Sequence, residues 1–405
     1  MTDIDRALSL LDGDEVVQLT RDMVAIPSIT HREGREMTIF MAKWFEDLGI
    51  PVRYLEKPGG RAHLFAEYGA SNGPGRFLFN GHQDTKPVDG MTVDPFAGEI
   101  REGRMYGRGA CDMKGGLAAF MCAFKALVRA GIAPKTGLTL YSDIEEEYSG
   151  QDGFLPLAAA GMFDEYAGLI CGEPSELQVH IGNSGSIATA FECRGRRAHA
   201  STPGHGINAI HGAARFITEF MKLPYLTLEN PYFGRATLNF EKIDGGFDDA
   251  TVPDHCTICL DSRLIPETPP ETVYEQANAL IACLVADGIE IHEVMPPLSW
   301  RPRRGANAAA WIEPEHPLVR SVIDAVGYGT DKEAVIAALP GATFAGVLIR
   351  RGIPSIILGP GSIRQAHTED EWVEVAQIPA AARIYTALMV GLALDPEKTL
   401  AGPAD

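Results

Sequence analysis

The sequence predicts an α/β protein in which one discontinuous domain with a mainly parallel sheet is interrupted by a smaller, inserted α+β domain. Short, continuous apolar runs alternate with helical patterns near both ends of the chain, as is typical of strands buried on both faces of a parallel sheet. Near Asn183 the pattern changes to alternating strands around helices. We therefore place one domain at 1–183 with 298–405 and the inserted domain at 184–297.

Length and composition exclude several classes of protein. The chain has 405 residues, enough for two or three domains of about 150 residues each. Its net charge of −19 would repel nucleic acid and anionic membranes. We find no run of about 18 apolar residues, the length that a membrane helix needs, and no signal-peptide pattern at the start. We therefore expect a cytoplasmic protein that binds neither nucleic acid nor a membrane.

The elements of the first domain follow in order along the chain. Apolar residues at helical spacing predict helices at 14–25, 36–48 and 113–130. Short apolar runs predict buried strands at 77–79, 138–140, 169–171 and 356–358. Such a succession of strands and helices is typical of a parallel sheet covered by helices.

The inserted domain has longer strands. Alternating patterns predict strands at 186–193, 236–243 and 255–264. Helices are expected after Gly206 and at 270–287. This part therefore reads as a compact α+β unit.

Histidine or acidic residues follow each of the four buried strands. These residues are His82 with Asp84, the run Glu145 to Glu147, Glu173, and His367. Asp112 follows a glycine-rich turn at the start of the helix at 113–130. Since open α/β sheets bind ligands at the carboxyl edge of their strands, we expect these side chains to meet there.

Two histidines and several carboxylates in one crevice favour a metal site, because the carboxylates would repel one another without a cation. Nitrogen and oxygen ligands without thiolate indicate zinc, with cobalt or manganese as replacements. His82 and Asp84 stand two residues apart and project to the same side of an extended segment. Asp84 can therefore accept the proton of the ring nitrogen that faces away from the metal.

The same residues resemble a known family. The matching segments, in order, are Gly-His-Gln-Asp at 81–84, Tyr-Gly-Arg-Gly-Ala-Cys-Asp-Met-Lys-Gly-Gly at 106–116, the Glu-Glu pair, Gly-Glu-Pro at 172–174 and Ala-His-Thr-Glu-Asp-Glu at 366–371. They resemble the dinuclear zinc family that includes acetylornithine deacetylase, succinyl-diaminopimelate desuccinylase, aminoacylase and glutamate carboxypeptidase. The likeness runs from about residue 14 to residue 390, and the segment at 107–116 is its most specific part.

The resemblance implies two zinc ions per subunit, and a role for each matched residue. Asp112 would bridge the ions, with His82 and Glu173 on one and Glu147 and His367 on the other. Glu146 would be the general base, and Asp84 the residue behind His82. We choose 146 and 147 within the triple Glu because Tyr-Ser-Gly at 148–150 then aligns with the turn that follows in the family. The family also implies a cis peptide bond after Asp112.

Within the inserted domain, the segment at 195–209 resembles the family element whose histidine enters the active site of the partner subunit and stabilises the oxyanion. The resemblance gives that role to His199 and makes the inserted domain a lid and dimerisation domain, so we expect a homodimer. Asn239 and Arg263 fall where the family places substrate contacts. Arg263 could clamp a substrate carboxylate or form a surface ion pair.

We therefore expect a metal-dependent amide hydrolase that removes an N-acyl group from an amino acid or related small amine. A carboxypeptidase or dipeptidase acting on small peptides is the alternative within hydrolases. A catalytically inactive binding or scaffold protein is the alternative from another class. Lys86 and Phe344 depart from the family pattern, so the substrates of the named relatives are not assumed.

Overall fold

The structure is a computed structural model that describes residues 1–32, 34–69, 75–148, 152–294 and 305–397. The chain forms two compact units. The first comprises Met1–Gly182, Trp311–Leu339 and Thr343–Asp405, and the second comprises Asn183–Ala310 and Pro340–Ala342. The second unit extends past the predicted return at 298, because a strand at 305–307 pairs within its sheet.

The described helices follow one another along the chain. They are α1 Asp3–Leu8, α2 Gly13–Val24, α3 Glu36–Asp47, α4 Gly115–Arg129, α5 Phe154–Ala159, α6 Ala209–Phe220, α7 Pro270–Ala286, α8 Pro317–Gly329, α9 Phe344–Ile349 and α10 Gln377–Leu394. Side chains cap four of the described helices, since Thr2 accepts from the first turn of α1, Asp12 from that of α2, Asn208 from that of α6 and His316 from that of α8.

The described strands form four sheets. They are β1 Val52–Glu56, β2 Ala62–Tyr68, β3 Arg76–His82, β4 Glu99–Arg101, β5 Arg104–Tyr106, β6 Leu138–Asp143, β7 Tyr166–Cys171, β8 Val179–Asn183, β9 Gly185–Arg194, β10 Glu229–Asn230, β11 Gly234–Arg235, β12 Thr237–Gly245, β13 His255–Leu264, β14 Glu290–Val294, β15 Gly305–Asn307, β16 Ala310–Trp311, β17 Ile336–Leu339, β18 Ser355–Ile357 and β19 Trp372–Glu374. A small sheet pairs β19 with β5 and β5 with β4, and another pairs β10 with β11.

The large sheet has the order β1-β2-β6-β3-β7-β18-β8-β16, with β17 paired to β8. Its four central strands, β6, β3, β7 and β18, are parallel. They are the four strands expected from the apolar runs, and the α/β fold class is confirmed. The sheet as a whole is mixed, because β1, β2 and β8 pair antiparallel at its flanks.

Helices α4 and α10 pack together against this sheet. The rings of Phe120 and Tyr385 stack with centroids 4.1 Å apart, and the Tyr385 hydroxyl donates to the carbonyl of Leu358. Gly116 lets the start of α4 approach the end of β7, since a Cβ at this position would lie 2.4 Å from the carbonyl oxygen of Gly172. Gly116 therefore allows the first turn of α4 to lie close to the carboxyl edge of the sheet.

Among the described residues, α10 is long and apolar enough to cross a membrane by length and composition alone. This differs from the sequence expectation, and the reason is that Arg383 is the only charged residue in its 18 positions. Within that window, 67% of the residues are buried inside the protein. Core helices of soluble proteins have the same composition, so α10 is weak evidence for a membrane span.

The second unit is built on the sheet β12-β13-β9-β14, with β15 also paired to β9. Helices α6 and α7 pack on one face of this sheet, where Phe191 and Phe216 approach with ring centroids 4.7 Å apart. Residues Asp261 and Arg263 of β13 alternate with the core residue Leu260 and therefore lie on the opposite face.

His63 and His180 are buried in the first unit, and burial lowers the pKa of each imidazole to about 4. The Nε2–H of His63 donates to the carbonyl of Asp152 at 2.8 Å, and the Tyr141 hydroxyl donates to Nδ1 at 3.0 Å. Each ring nitrogen of neutral His63 therefore has a hydrogen-bond partner. In the unfolded chain each histidine regains its ordinary pKa of 6.5, so between pH 6.5 and 4 the unfolded state binds more protons.

We therefore expect the contribution of His63 and His180 to the free energy of unfolding to be fully present above pH 6.5 and to be lost as the pH falls toward 4. His63 alone should account for a loss of about 2 kcal/mol between pH 7.5 and pH 5. Urea unfolding of the metal-free protein at these two pH values measures the loss of unfolding free energy. In His63→Gln this loss should be smaller by about 2 kcal/mol. The exposed His205→Gln serves as the control. An unchanged pH dependence in His63→Gln would contradict the prediction.

Candidate metal centre

The parallel strands bring their following residues to one edge of the large sheet. His82 is the last residue of β3, Glu173 follows β7, and the segment with Glu146 and Glu147 follows β6 as a short 3-10 helix over Glu146–Tyr148. His367 lies in the loop after β18. The edge is therefore lined by imidazole and carboxylate groups from all four central strands.

The Asp112 carboxylate lies between the two histidines. Its Oδ1 is 2.8 Å from Nε2 of His82, and its Oδ2 is 3.3 Å from Nε2 of His367. Asp112 follows Gly109, which has a φ of 83°, and the Asp112–Met113 peptide bond is cis, as the resemblance implies. One carboxylate thus faces an imidazole nitrogen with each of its oxygens.

A second carboxylate accompanies each histidine. Glu173 Oε1 is 3.7 Å from Nε2 of His82, and Glu147 Oε2 is 2.8 Å from Nε2 of His367. The side chains of Glu147 and Glu173 are 3% and 7% exposed. The five side chains therefore form two neighbouring groups of nitrogen and oxygen donors that share Asp112.

This donor set fits divalent cations. Ligand atoms of His82, Asp112 and Glu147 lie within 4.8 Å of one another, as do those of His82, Glu146 and Glu173. Four buried or partly buried carboxylates in so small a volume need positive charge beside them. Imidazole and carboxylate ligands suit zinc and related first-row metals.

Burial and mutual contacts shift the pKa values of these groups. Burial opposes ionisation of Asp112, but the hydrogen bonds from His367 and His82 hold the pKa of its carboxyl below the ordinary range. The same contacts to Asp112 and Glu147 raise the pKa of His367 to about 9. Burial, followed by the charge of Asp112, raises the pKa of Glu173 well above its usual value.

Asp84 contacts His82 through a different atom from the one expected. The Nδ1–H of His82 donates to the backbone carbonyl of Asp84 at 2.8 Å, whereas the nearest carboxylate oxygen is 3.7 Å away. The carboxylate instead accepts from the Thr30 hydroxyl at 2.7 Å and from the backbone N–H groups of Glu146 and Glu147 at 3.2 and 3.3 Å. Asp84 therefore fixes both the tautomer of His82 and the start of the segment that carries Glu146.

The three consecutive glutamates have different surroundings. Glu145 turns away from the cluster, because its carboxylate forms an ion pair with Arg61 and accepts from the backbone N–H of Asp152 at 3.1 Å. Glu147 contacts His367, and Glu146 falls in a potential ligand group with Glu173. Burial, followed by the charges of nearby carboxylates, raises the pKa of Glu146. Ser149 and Gly150, used for the alignment, lie outside the described residues.

The two departures from the family pattern have different surroundings. The Lys86 ammonium lies 3.2 Å from Oε2 of Glu147 and 4.4 Å from the ring centroid of Tyr148. Phe344 is buried, and its ring packs on Phe154 with centroids 4.5 Å apart. Lys86 therefore adds a positive charge beside the cluster, whereas Phe344 belongs to the core.

The three remaining site candidates, His199, Asn239 and Arg263, lie in the second unit. The exposed ring of His199 accepts a hydrogen bond at Nδ1 from the backbone N–H of Ser201 at 3.1 Å, so the neutral ring carries its hydrogen on Nε2. Asn239 pairs with Asp261 across two strands. Arg263 is on the same face, and its Nε donates to Asp261 at 2.8 Å. Asn239 and Arg263 are thus neighbours.

Sequence reasoning assigned no role in the site to three residues that contact its members. Thr30 donates to Asp84, Lys86 contacts Glu147, and Glu371 accepts from the backbone N–H of Asp112 at 3.0 Å. Glu371 lies in the family segment at 366–371, four residues after His367. An acidic residue without an assigned role in that segment was the signal that could have identified it. Thr30 and Lys86 lie outside the matching family segments, so nothing comparable indicated their contacts.

Comparisons with known proteins agree with this geometry. The sequence profile of the peptidase family M20/M25/M40 matches residues 78–390. The acetylornithine deacetylase of Erwinia tasmaniensis is 28% identical over 388 residues, which cover 89% of this chain and 94% of the relative.

Two solved structures show the same fold. The aminopeptidase PepT of Bacillus cereus aligns with a TM-score of 0.75 at 21% identity, over 95% of this chain and 100% of that chain. The YXEP protein of Bacillus subtilis, described as a dinuclear metal binding peptidase, aligns with a TM-score of 0.65 at 15% identity, over 94% and 98% of the two chains. Since the family profile covers more than half of the sequence, this chain belongs to the peptidase family M20/M25/M40 and is a hydrolase whose histidine and carboxylate groups could hold metal ions.

Proposed function

We propose that this protein is an amide hydrolase that removes an N-acyl group from an amino acid or a related small amine. The observation that carries the proposal is the Asp112 carboxylate, which faces His82 with one oxygen and His367 with the other. The similarity to an acetylornithine deacetylase over most of both chains supports the deacylase reading. The acyl group and the amine are left open.

We assign two zinc ions to the site, with cobalt or manganese as functional replacements. Asp112 would bridge them, His82 and Glu173 would hold one ion, and Glu147 and His367 the other. When bound, a pair of such ions lowers the pKa of a shared water and polarises an amide carbonyl.

Glu146 is the proposed general base. Its carboxylate takes a proton from the attacking water and returns that proton to the leaving nitrogen. Asp84 supports this step in two ways, because it orients His82 through its carbonyl and holds the backbone of Glu146 through its carboxylate.

His199 is the proposed donor to the oxyanion. Its Nε2 carries the hydrogen in the neutral ring, since Nδ1 already accepts from the backbone of Ser201. A preorganised donor of this kind stabilises the negative charge that develops on the carbonyl oxygen. Asn239 and Arg263 would contact the substrate, with Arg263 aimed at a carboxylate.

We further propose a homodimer formed through the second unit, in which His199 of one subunit serves the site of the other. We also propose a cytoplasmic location, with neither nucleic acid nor a membrane as partner, because the net charge of −19 would repel nucleic acid and anionic membranes.

A carboxypeptidase or dipeptidase is the second candidate. The presence of Arg263 on the same sheet face as Asn239 favours it, because a guanidinium could hold the terminal carboxylate of a peptide. An inactive scaffold would fold and persist without metal.

Metal removal and a substrate screen separate these possibilities. Dialysis against a chelator should abolish hydrolysis, and zinc, cobalt or manganese should restore it at about two ions per chain. N-acetyl, N-formyl, N-succinyl and N-carbamoyl amino acids should be cleaved faster than dipeptides. Faster cleavage of dipeptides would favour the peptidase, and a metal-free chain with no turnover on any of these amides would favour the scaffold.

A further inference from the structure

We propose that Glu371 is a positioning residue that fixes the Asp112 carboxylate between the two metal ions. The proposal rests on the proposed function only in that it requires Asp112 to bind metal. Among the hydrogen bonds and ion pairs of the described residues, those of the Glu371 side chain go to Arg108 and to backbone N–H groups between Gly109 and Asp112. Glu371 would act on the metals entirely through that backbone.

Glu371 accepts four hydrogen bonds from the segment that ends at Asp112. Its Oε1 accepts from the backbone N–H groups of Cys111 at 2.8 Å and of Asp112 at 3.0 Å. Its Oε2 accepts from the backbone N–H of Gly109 at 3.1 Å and from the Arg108 guanidinium at 2.9 Å. Three backbone amides within four consecutive residues therefore converge on one carboxylate.

These contacts use the full capacity of the carboxylate. Two carboxylate oxygens offer about four acceptor sites, and four donors occupy them. Glu371 is 1% exposed, and the Arg108 side chain that neutralises it is also buried. Hydrogen bonds to a buried ionised acceptor are stronger and shorter than those between neutral groups, so they define the path of the backbone closely.

Glu371 also joins the two metal-binding loops. Strand β19 begins at Trp372, immediately after Glu371, and Trp372 pairs with Tyr106 at the end of β5. The loop with Asp112 leaves β5, whereas the loop with His367 leads into β19. The Glu371 carboxylate, on the loop that leads into β19, therefore binds the backbone of the loop that carries Asp112, next to the point where β5 and β19 pair. We infer that the separation between Asp112 and His367 depends on this contact.

The neighbouring Asp370 provides a matched comparison. It also accepts backbone hydrogen bonds, from the N–H groups of Thr92 at 2.8 Å and Val93 at 3.2 Å, but it is only partly buried and has no contact with the Asp112 segment among those described. Asp370→Asn therefore changes a carboxylate of the same loop without touching the proposed link.

The test compares Glu371→Gln, Glu371→Asp and Asp370→Asn by cobalt binding. In Glu371→Gln an amide N–H₂ group would face backbone N–H donors, which removes half of the acceptors and introduces repulsion. We expect the cobalt Kd, measured by competition with a chelator, to rise roughly ten- to a hundredfold, as is usual when a partner of a metal ligand is lost. The visible spectrum of bound cobalt should change, Glu371→Asp should lie between Gln and wild type, and Asp370→Asn should match wild type.

Circular dichroism of the metal-free proteins controls for folding, and Glu371→Asp carries the test if Glu371→Gln does not fold. A folded Glu371 variant with the wild-type cobalt Kd and spectrum would overturn the proposal. Equal losses in Asp370→Asn would also overturn it, since they would reflect a general effect on the loop. Wild-type protein that binds cobalt but cleaves no amide would contradict the proposed function and leave the role of Glu371 intact.

Discussion

Glu146→Gln should lose nearly all turnover while it still binds two metal ions. Glutamine keeps the size of the side chain but cannot take a proton from water. General base catalysis contributes about a hundred- to ten-thousandfold in rate, so kcat should fall by a factor in that range. The backbone N–H of Glu146 would still donate to Asp84, so the segment should keep its place. Steady-state kinetics and metal analysis on the same preparation measure both effects.

Glu145→Gln is the matched control for this variant. Glu145 is adjacent in sequence, but its carboxylate bonds to Arg61 and to the backbone of Asp152 and not to the cluster. It should retain most of the turnover, although the loss of a buried ion pair will lower stability. If Glu146→Gln stays active and Glu145→Gln does not, the base is Glu145 and the chosen register is wrong.

Mixing two inactive variants should restore activity if His199 acts across a dimer. Loss of one oxyanion donor costs about a hundred- to a thousandfold in kcat, so His199→Ala alone should be nearly inactive. In a dimer of His199→Ala with Glu146→Gln, one of the two sites would combine an intact Glu146 with an intact His199. Random exchange of equal amounts should therefore recover about a quarter of the wild-type activity.

The variants must exchange subunits for this test to apply, so they are mixed under mild denaturation and refolded with zinc. Differently tagged chains show that mixed dimers have formed. No recovery in verified mixed dimers would mean that His199 acts within its own subunit or does not contribute. Wild-type protein that remains monomeric at assay concentration would also contradict the shared site.

Much of the fold could be predicted from sequence because buried parallel strands leave a clear pattern. The runs at 77–79 and 169–171 had to be strands covered on both faces, and His82 and Glu173 follow them directly. Asp112 does not follow a predicted strand, so its place in the site was predicted from its position at the start of a helix and from the family segments. The antiparallel flanks and the extension of the second unit to Ala310 were less predictable, because short edge strands leave little periodic signal.

The contacts behind the ligands could not be predicted in the same way. Spacing places Asp84 beside His82, but it cannot decide whether the carbonyl or the carboxylate accepts the imidazole proton. That choice depends on Thr30, which lies 54 positions away and draws the carboxylate toward itself. Glu371 is a similar case, since its partners lie about 260 residues earlier in the chain.

Anomalous diffraction from crystals grown with cobalt tests the central claim most directly. The account predicts two peaks per chain with the Asp112 carboxylate between them, one beside His82 and Glu173 and the other beside Glu147 and His367. A single peak, or peaks away from Asp112, would contradict it.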